Sequence, residues 1–336
     1  APARASGTVI AGQPLHLPML DVETVSAGGG SVAWRDSGGA LRVGPMAAGA
    51  RPGPAAYGRG GHRPTVTDAN AVLGRLPLDR PLGGEISLDA DAARGAVASL
   101  ASELGLGVEE CAEGILTVAV QEMVRALRRV SVERGVDPRG ATLVAFGGAG
   151  PLHACQVADA LAMAHALVPA AAGVLSALGL VLAGERRDWV QTVLLPADAR
   201  TELEARLAPL RHAAARALPG AAQTVSADCR YVGQSHAITV PWDPRSEADA
   251  LGRAFHDEHA AQLGDADRSH PVEVVSLRLA AERPGPAPPA HPGTAGASVP
   301  GPAVIGLDGA TVWVASGWSA SPRADGSVSL TRVVTP

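Results

Sequence analysis

The sequence predicts an α/β protein: a first lobe built around a strand, a glycine loop and a helix, followed by a smaller α+β unit. Three observations carry this expectation. The apolar run Thr142 to Phe146 stops at Gly147-Gly148-Ala149-Gly150 and opens into a helical stretch from Leu152 to about His165, after which Ala166 to Pro169 forms a second, parallel strand. Between Val108 and Gly135 the apolar residues recur with a helical period. Beyond Pro196 helix-like and strand-like segments alternate without another glycine loop of this kind.

Taken in order, residues 1 to 80 are dense in Gly and Pro, with short β-like runs at Val32 to Trp34 and Leu41 to Val43, so most of this region is expected as loop and short strand. Thr67 and Asp68 stand where side-chain oxygens cap the next helical stretch. Helices are predicted from Asp89 to Leu104 and from Val108 to Gly135. In the second, Ile115, Val118, Ala119, Glu122, Met123, Ala126, Leu127 and Val130 form the stripe, Arg125, Arg128 and Arg129 lie outside it, and Gly135 and Pro138 end it. Leu167 to Ala183 is nearly all apolar, yet Pro169, Gly173 and Gly179 interrupt it, which favours a buried loop and helix flanking a ligand cleft over a membrane span.

The second unit is read as an amphipathic helix from Thr201 to Leu218, a hairpin of Ser226 to Val232 and His236 to Val240 around Gly233-Gln234, a helix from Ser246 to Leu263 and a strand from Val272 to Ala281. Pro284 to Pro300 reads as an exposed linker. Ala303 to Ile305, Thr311 to Val314 and Ser327 to Arg332 are β-like. The expected domains are thus 1–195, 196–283, a linker at 284–300 and a small terminal β element at 301–336, with no repeat of fixed period.

Composition narrows the function classes. A chain of 336 residues with 46% hydrophobic and 18% charged residues has a core and is not disordered. A net charge of −5 and pI near 6.1 argue against nucleic acid or an anionic membrane as partner, and 3% aromatics leave few stacking platforms for single strands. All 28 basic residues are arginine, so Schiff-base chemistry and a Walker-type lysine are excluded within this chain. Cys111, Cys155 and Cys229 are odd in number and lack C-x-x-C spacing, which favours a reducing cytoplasm over a disulfide scaffold or a zinc finger.

The candidate site residues follow from residue type and place. Gly147, Gly148, Ala149 and Gly150 match neither G-x-G-x-x-G nor G-x-x-x-x-G-K-[ST]. They either lay a nucleotide on main-chain N–H groups, with φ > 0 open to the glycines, or make a tight turn without ligand. His153, at the start of the following helix, is a candidate acid/base, metal ligand or local cap. Asp68 holds Mg²⁺ through water, orients a substrate amide, or caps a helix. Gly28, Gly29, Gly30 and Ser31 form a second backbone-donor loop for an anion or a polarised carbonyl. Tyr57 and Arg59 stand between glycines as candidate gates of the cleft or, each taken alone, as a packing residue and a solvated charge. His256, Asp257, Glu258 and His259 are spaced like a metal set but read better as a solvated helix face, so the metal ligands stay unidentified.

Longer stretches carry a family resemblance. Ser26 to Trp34, Val43-Gly44-Pro45, Pro52 to Ala55, Tyr57 to Gly61 and Pro64 to Leu76 resemble, in that order, the hydantoinase A/5-oxoprolinase family. Phe146 to Ala154, Val168-Pro169 with Ala172 to Gly179, Arg230 to Ser235, Glu273 to Arg278, Gly301 to Ile305 and Gly317 to Ala320 continue it over nearly the whole chain. The resemblance implies the fold of the acetate-and-sugar-kinase, Hsp70 and actin superfamily, with the loop 147–150 as its adenosine-binding turn. It implies ATP-dependent opening of a cyclic amide such as a hydantoin or 5-oxoproline, with ATP and Mg²⁺ as cofactors and a hydantoinase B-like subunit as partner.

The family's two Asp-x-Gly-Gly-Thr phosphate hairpins are not found in this sequence. The chain is therefore expected to be the C-terminal portion of a longer or split protein, associated with its missing part or as an oligomer and inactive alone. Where many relatives have Ser-Ala-Gly-Ala-Asp-Pro-Gly-Pro-Ala-Cys-Tyr-Gly, this chain has Ala47 to Gly58 with Ala47, Arg51 and Ala56 in place of the hydroxyl, the carboxylate and the thiol. Two rival readings are an ATP-using subunit of an acetone or acetophenone carboxylase-like complex and a non-catalytic assembly subunit.

Overall fold

The computed structural model describes residues 4–5, 8–10, 12–15, 19–20, 22–25, 27–84, 86–247 and 249–333; Ala1 and Ser26 lie outside them. The chain forms two compact units, residues 1–178 with 289–336, and residues 179–288.

Four short strands, β1 (Arg4–Ala5), β2 (Thr8–Ile10), β3 (Gln13–Leu15) and β4 (Met19–Leu20), make two antiparallel pairs, β1 with β4 and β2 with β3. Next comes a hairpin of β5 (Ser31–Arg35) and β6 (Leu41–Ala47). Its turn closes on Asp36, whose Oδ1 accepts the N–H groups of Gly38 at 3.0 Å and Ala40 at 2.8 Å, an Asx-type turn. Helix α1 (Val66–Val72) starts at Thr65 rather than at the Thr67-Asp68 pair. Thr65 is the cap and Asp68 the third helical residue, the two side chains closing a reciprocal capping box.

Helix α2 (Ala90–Leu104) is capped by Asp89, which accepts the Ala92 N–H at 2.8 Å, and stops at Gly105 with φ +70°. Helix α3 (Val108–Val130) follows, and the chain leaves it through a 3₁₀ turn closed by Gly135 at φ +76°. Its buried stripe is Cys111, Ala112, Ile115, Leu116, Ala119, Val120 and Val124. The expected stripe included Ile115 and Ala119 but ran one position off Leu116, Val120 and Val124, because the first half of this helix packs against α1 and α2 and the second half against the glycine-loop layer.

The central unit is β7 (Thr142–Val144), the glycine turn, α4 (Gly150–Ala160) and β8 (His165–Val168), with β7 and β8 parallel. Helix α5 (Leu175–Leu182) contains no buried residue, and Val174 just before it, Leu180 and Val181 are 59%, 79% and 69% exposed. The expectation of a buried helix over this apolar run is thereby corrected. No described helix is long and apolar enough to cross a membrane.

The second unit is an antiparallel sheet of β9 (Glu185–Pro196), β10 (Ala222–Tyr231), β11 (Ile238–Pro241) and β12 (Val272–Arg283) in the order β11-β10-β12-β9. It carries the helices α6 (Arg200–Ala217) and α7 (Ala250–Leu263). Leu203, Leu207, Leu251 and Phe255 from the helices close over Ala227, Cys229, Val274, Leu277 and Leu279 of the strands. Strand β9 was not expected from sequence. It is an edge strand whose residues are all at least partly exposed, and the Arg186 guanidinium pairs with Asp188 on its own strand and with Glu282 across the ladder. It pairs with β12, so the second unit begins before 196.

Residues 284–298 have no regular structure and are mostly exposed. The chain then returns to the first unit as β13 (Val299–Pro300), β14 (Ala303–Leu307), β15 (Ala310–Val314), β16 (Trp318–Pro322) and β17 (Val328–Arg332). Strand β17 pairs with β8, setting Val328 opposite Val168 and Leu330 opposite Ala166, so β13-β16-β17-β8-β7 is one five-stranded sheet. The terminal β segment is thus built into the same sheet as the glycine-loop strand. Ala166, Val168, Val312, Trp318 and Leu330 share one core with α4.

Candidate functional site

The glycine turn after β7 is set by three different backbone demands. Gly147 alone has φ > 0, at +82°, and its N–H is spent on the Ala172 carbonyl at 2.7 Å. Gly148 and Gly150 do not need φ > 0, which corrects the expectation for those two positions. Ala149 is the residue before α4, and Pro151 sits in its first turn, where a missing N–H does no harm. No hydrogen bond to a described residue uses the N–H groups of Gly148, Ala149 or Gly150.

The second glycine loop is folded onto the first. The Gly28 N–H donates to Ser31 Oγ at 2.9 Å, the Gly30 carbonyl accepts from Ala48, and the Gly29 carbonyl accepts both the N–H and the hydroxyl of Thr67 at 2.9 Å. A Cβ at Gly29 would stand 2.9 Å from Thr67 Oγ1, so glycine lets this loop lie on the start of α1, and 3.7 Å from the Ala149 methyl, an ordinary contact with the other loop. The N–H groups of Gly29 and Gly30 have no partner among the described residues.

Where they meet, a cleft of 620 Å³ opens, within the range of small-molecule sites. Gly29 and Gly30 line it on one side, Gly148, Ala149 and Leu152 on another, and the segment Leu76 to Ile86 on a third. The β14–β15 turn, Gly306 to Thr311, supplies the fourth. That turn lies against residue 173, where a Cβ would run into the Gly309 carbonyl. Tyr57 and Thr67 complete the lining, while Arg59 is not among the lining residues. The polar side chains of the lining are Tyr57, Thr67, Arg80, Asp308 and Thr311. Chemically, the cleft offers backbone donors from two loops and an apolar floor of Leu76, Leu82, Ile86 and Leu152, a combination suited to a ligand with a flat apolar part and oxygen acceptors.

Of the predicted site residues, Gly29, Gly30, Gly148 and Ala149 line this cleft; Gly28, Ser31, Gly147 and Gly150 shape the loops behind it. Asp68 and His153 do not reach it. Asp68 is fully buried, its Oδ1 accepting the Ala56 N–H at 2.7 Å and its Oδ2 the N–H and hydroxyl of Thr65 at 2.8 and 2.7 Å. Burial raises its pKa, and these hydrogen bonds oppose the rise. It ties the Ala55–Tyr57 turn to α1 with no oxygen left facing a ligand. His153 is fully buried beside Gln156, and neither ring nitrogen has a hydrogen bond of ordinary geometry among the described residues. No local backbone group is capped by it, and it is not among the residues that line the cleft.

Burial, and after it the nearby Arg75 guanidinium, push the His153 pKa down to about 4. Arg75 is held by Gln156 at 3.2 Å and lies 5.4 Å over the Trp313 ring. A folded-state pKa below the unfolded value of 6.5 means that stability is intact above pH 6.5 and falls as the unfolded state alone takes up a proton, until about pH 4. The loss over that window is expected to approach roughly 3 kcal/mol. Urea midpoints measured from pH 7.5 to 4 should show the decline in wild type and a flatter profile in His153→Leu; identical profiles would disprove the assignment.

The cluster in the second unit is a packed one. His256 is 8% exposed and bonds through Nδ1 to the Tyr231 hydroxyl at 2.9 Å, which corrects its expected place on a solvated face, while Asp257 and Glu258 do face solvent. Among the described residues no group of three or more His, Cys, Asp or Glu is arranged to hold a metal ion. The sequence reading missed Arg80, Asp308 and the whole 306–311 wall. Asp308-Gly309 does mark a hairpin turn, but nothing local to it says that the turn reaches the glycine loops.

The profile of the hydantoinase/oxoprolinase family matches residues 1–188. Caprolactamase subunit alpha of Pseudomonas jessenii is 39% identical over 280 residues, covering 78% of this chain and 40% of that protein. The 5-oxoprolinase PfmaA of Pestalotiopsis fici is 36% identical over 294 residues, covering 81% of this chain and 22% of that protein. The chain therefore spans well under half the length of these relatives. Among solved structures, the ATP-dependent caprolactamase from Pseudomonas jessenii aligns with a TM-score of 0.73 at 31% identity, over 98% of this chain and 55% of that one. The nucleotide-free structure of acetone carboxylase aligns with a TM-score of 0.84 at 22% identity over the same shares, a likeness of fold.

Proposed function

The chain belongs to the hydantoinase/oxoprolinase family, and from that premise we propose that it supplies the nucleotide-binding lobe of an ATP-dependent hydrolase of cyclic amides, of the hydantoin or 5-oxoproline kind. The observation that carries the proposal is the convergence of unpaired N–H groups from Gly29, Gly30, Gly148 and Ala149 on one cleft. The lobe is assigned to the acetate-and-sugar-kinase, Hsp70 and actin class. Support comes from the parallel β7–α4–β8 unit, with its glycine turn at the C-terminal end of β7, and from the likeness to two ATP-dependent enzymes.

An unstrained lactam carbonyl is a poor electrophile. Transfer of the γ-phosphoryl group from ATP to its oxygen releases ADP and makes the ring carbon electrophilic. Water adds to that carbon, the adduct expels the ring nitrogen as the protonated amine, and the acyl phosphate so formed is hydrolysed by a second water to carboxylate and phosphate. In this chain the backbone donors hold the nucleotide, and Leu76, Leu82, Ile86 and Leu152 give its base an apolar bed. Among the described residues Asp308 is the one carboxylate of the lining, and that donor set does not fit a protein-held Mg²⁺. No step is therefore assigned to a metal held by this chain.

With one carboxylate among the described lining residues and no lysine, that lining offers no evident base, and the remaining catalytic groups are assigned to the rest of a longer protein or to a hydantoinase B-like partner. The subunit name of the Pseudomonas jessenii relative favours a partner of some kind. Identities of 39% and 36% to a caprolactamase subunit and a 5-oxoprolinase favour cyclic amides over ketone carboxylation, for which the likeness is one of fold.

In the complete protein, ADP and phosphate should appear in step with ring opening when 5-oxoproline, hydantoin or caprolactam is supplied. Ring opening that proceeds without ATP, or ATP hydrolysis indifferent to every lactam, would overturn the proposal. The 336-residue chain alone should show no lactam-dependent ATP hydrolysis above background, and turnover by it would return the missing catalytic groups to this chain.

A further inference from the structure

We propose that Arg80 is the residue that reads a negatively charged oxygen group in the cleft, either a phosphate of the nucleotide or the carboxylate of an acidic lactam. The proposal deepens the functional reading above and rests on it for the identity of those ligands. Arg80 lines the cleft on the segment Leu76 to Ile86, and its side chain makes no ion pair or hydrogen bond with any described residue. Among the described lining residues the other charged side chain is Asp308, and no ion pair joins the two. Its five N–H donors are thus unspent, on a residue that faces solvent at the cleft mouth.

The guanidinium also has a seat. It lies against the main chain of β14 at Gly306, where a Cβ would collide with it, so this glycine leaves room for an arginine rather than for a turn. Gly306 does not have φ > 0, so conformational need does not explain it. The seat brings the cation onto the same cleft as the unpaired N–H groups of both glycine loops. A fork of guanidinium donors facing backbone donors is a complement for oxygens of phosphate or carboxylate and has nothing to offer an uncharged ring.

The test uses the complete protein and titration calorimetry with ATP, adenosine, pyrophosphate, 5-oxoproline and the uncharged lactam 2-pyrrolidinone. Arg80→Ala removes an exposed side chain without internal partners, so the fold should survive, and Arg80→Lys should restore part of any loss. The expected result is a loss of about 10-fold or more in affinity for ATP and pyrophosphate, if the group is a phosphate, or for 5-oxoproline, if it is the carboxylate. Adenosine and 2-pyrrolidinone should bind as before. Gly306→Ala, which pushes the guanidinium from its seat at little cost to the fold, should weaken the same ligand to a lesser degree.

Unchanged affinity for all three anions in Arg80→Ala overturns the proposal, as does an equal loss for charged and uncharged ligands, which would make Arg80 a packing residue. A wild-type protein that binds adenosine but no anion overturns it too, leaving the nucleoside site intact. Arg80-dependent pyrophosphate binding without any binding of ATP or adenosine sinks the nucleotide reading and keeps Arg80.

Discussion

Gly148→Val is expected to lower nucleotide affinity of the complete protein by at least about 100-fold while leaving the fold in place. A Cβ at Gly148 meets no atom within 4 Å, and the residue does not have φ > 0, so neither a clash nor backbone strain opposes the substitution. The space the isopropyl group takes is the cleft itself, beside the free N–H groups of Gly148 and Ala149. A ligand lying on those donors has to approach the main chain closely, and a branched side chain keeps it away. Loss of two or more charge-assisted hydrogen bonds is worth that factor.

Gly147→Val is the contrasting variant. There φ is +82° and the N–H is committed to Ala172, so the same side chain should strain the turn and lower stability. Calorimetric titration beside circular dichroism and thermal melting separates the two. Wild-type affinity in a well-folded Gly148→Val would defeat the assignment of this loop to the nucleotide.

The second large effect is on stability. Asp68→Ala should cost about 4 kcal/mol, because it leaves the N–H groups of Ala56 and Thr65 and the Thr65 hydroxyl without their acceptor in a fully buried place. It also opens the capping box of α1. Asp68→Asn keeps one acceptor oxygen but turns an amide donor toward other donors, and should cost about half as much. Urea denaturation of the wild type and both variants measures this. A change under about 1 kcal/mol, together with a loss of turnover at unchanged ligand affinity, would make Asp68 a catalytic residue after all.

Several parts of this structure were legible in the sequence because their causes are local. Asp89 and Gly105 bracket α2 through hydrogen bonds and a left-handed turn that need only their neighbours, and Gly135 closes the exit from α3 in the same way. The β7–glycine turn–α4–β8 unit follows from an apolar run, a breaker and a second apolar run, and the β10–β11 hairpin from two alternating runs around Gly233. Family membership was legible for a related reason, since ordered motifs along the chain carry it.

The rest was decided by contacts between distant residues. Which side of α3 is buried depended on two layers packing on it, and periodicity alone left the stripe one position off Leu116, Val120 and Val124. Strand β9 was hidden by its charges, which an edge strand tolerates because one ladder is open to water. His153 and Asp68 carry the chemistry of active residues in sequence, and only burial shows that their groups are enclosed by the protein. The pairing of Val328 with Val168 carries the end of the chain back to the glycine-loop sheet and sets the Gly306–Thr311 turn, with Arg80 against it, across from Gly148. No residue type or spacing near Gly306 encodes that encounter, because it is fixed by which apolar faces close on one core, a choice made by the whole chain at once.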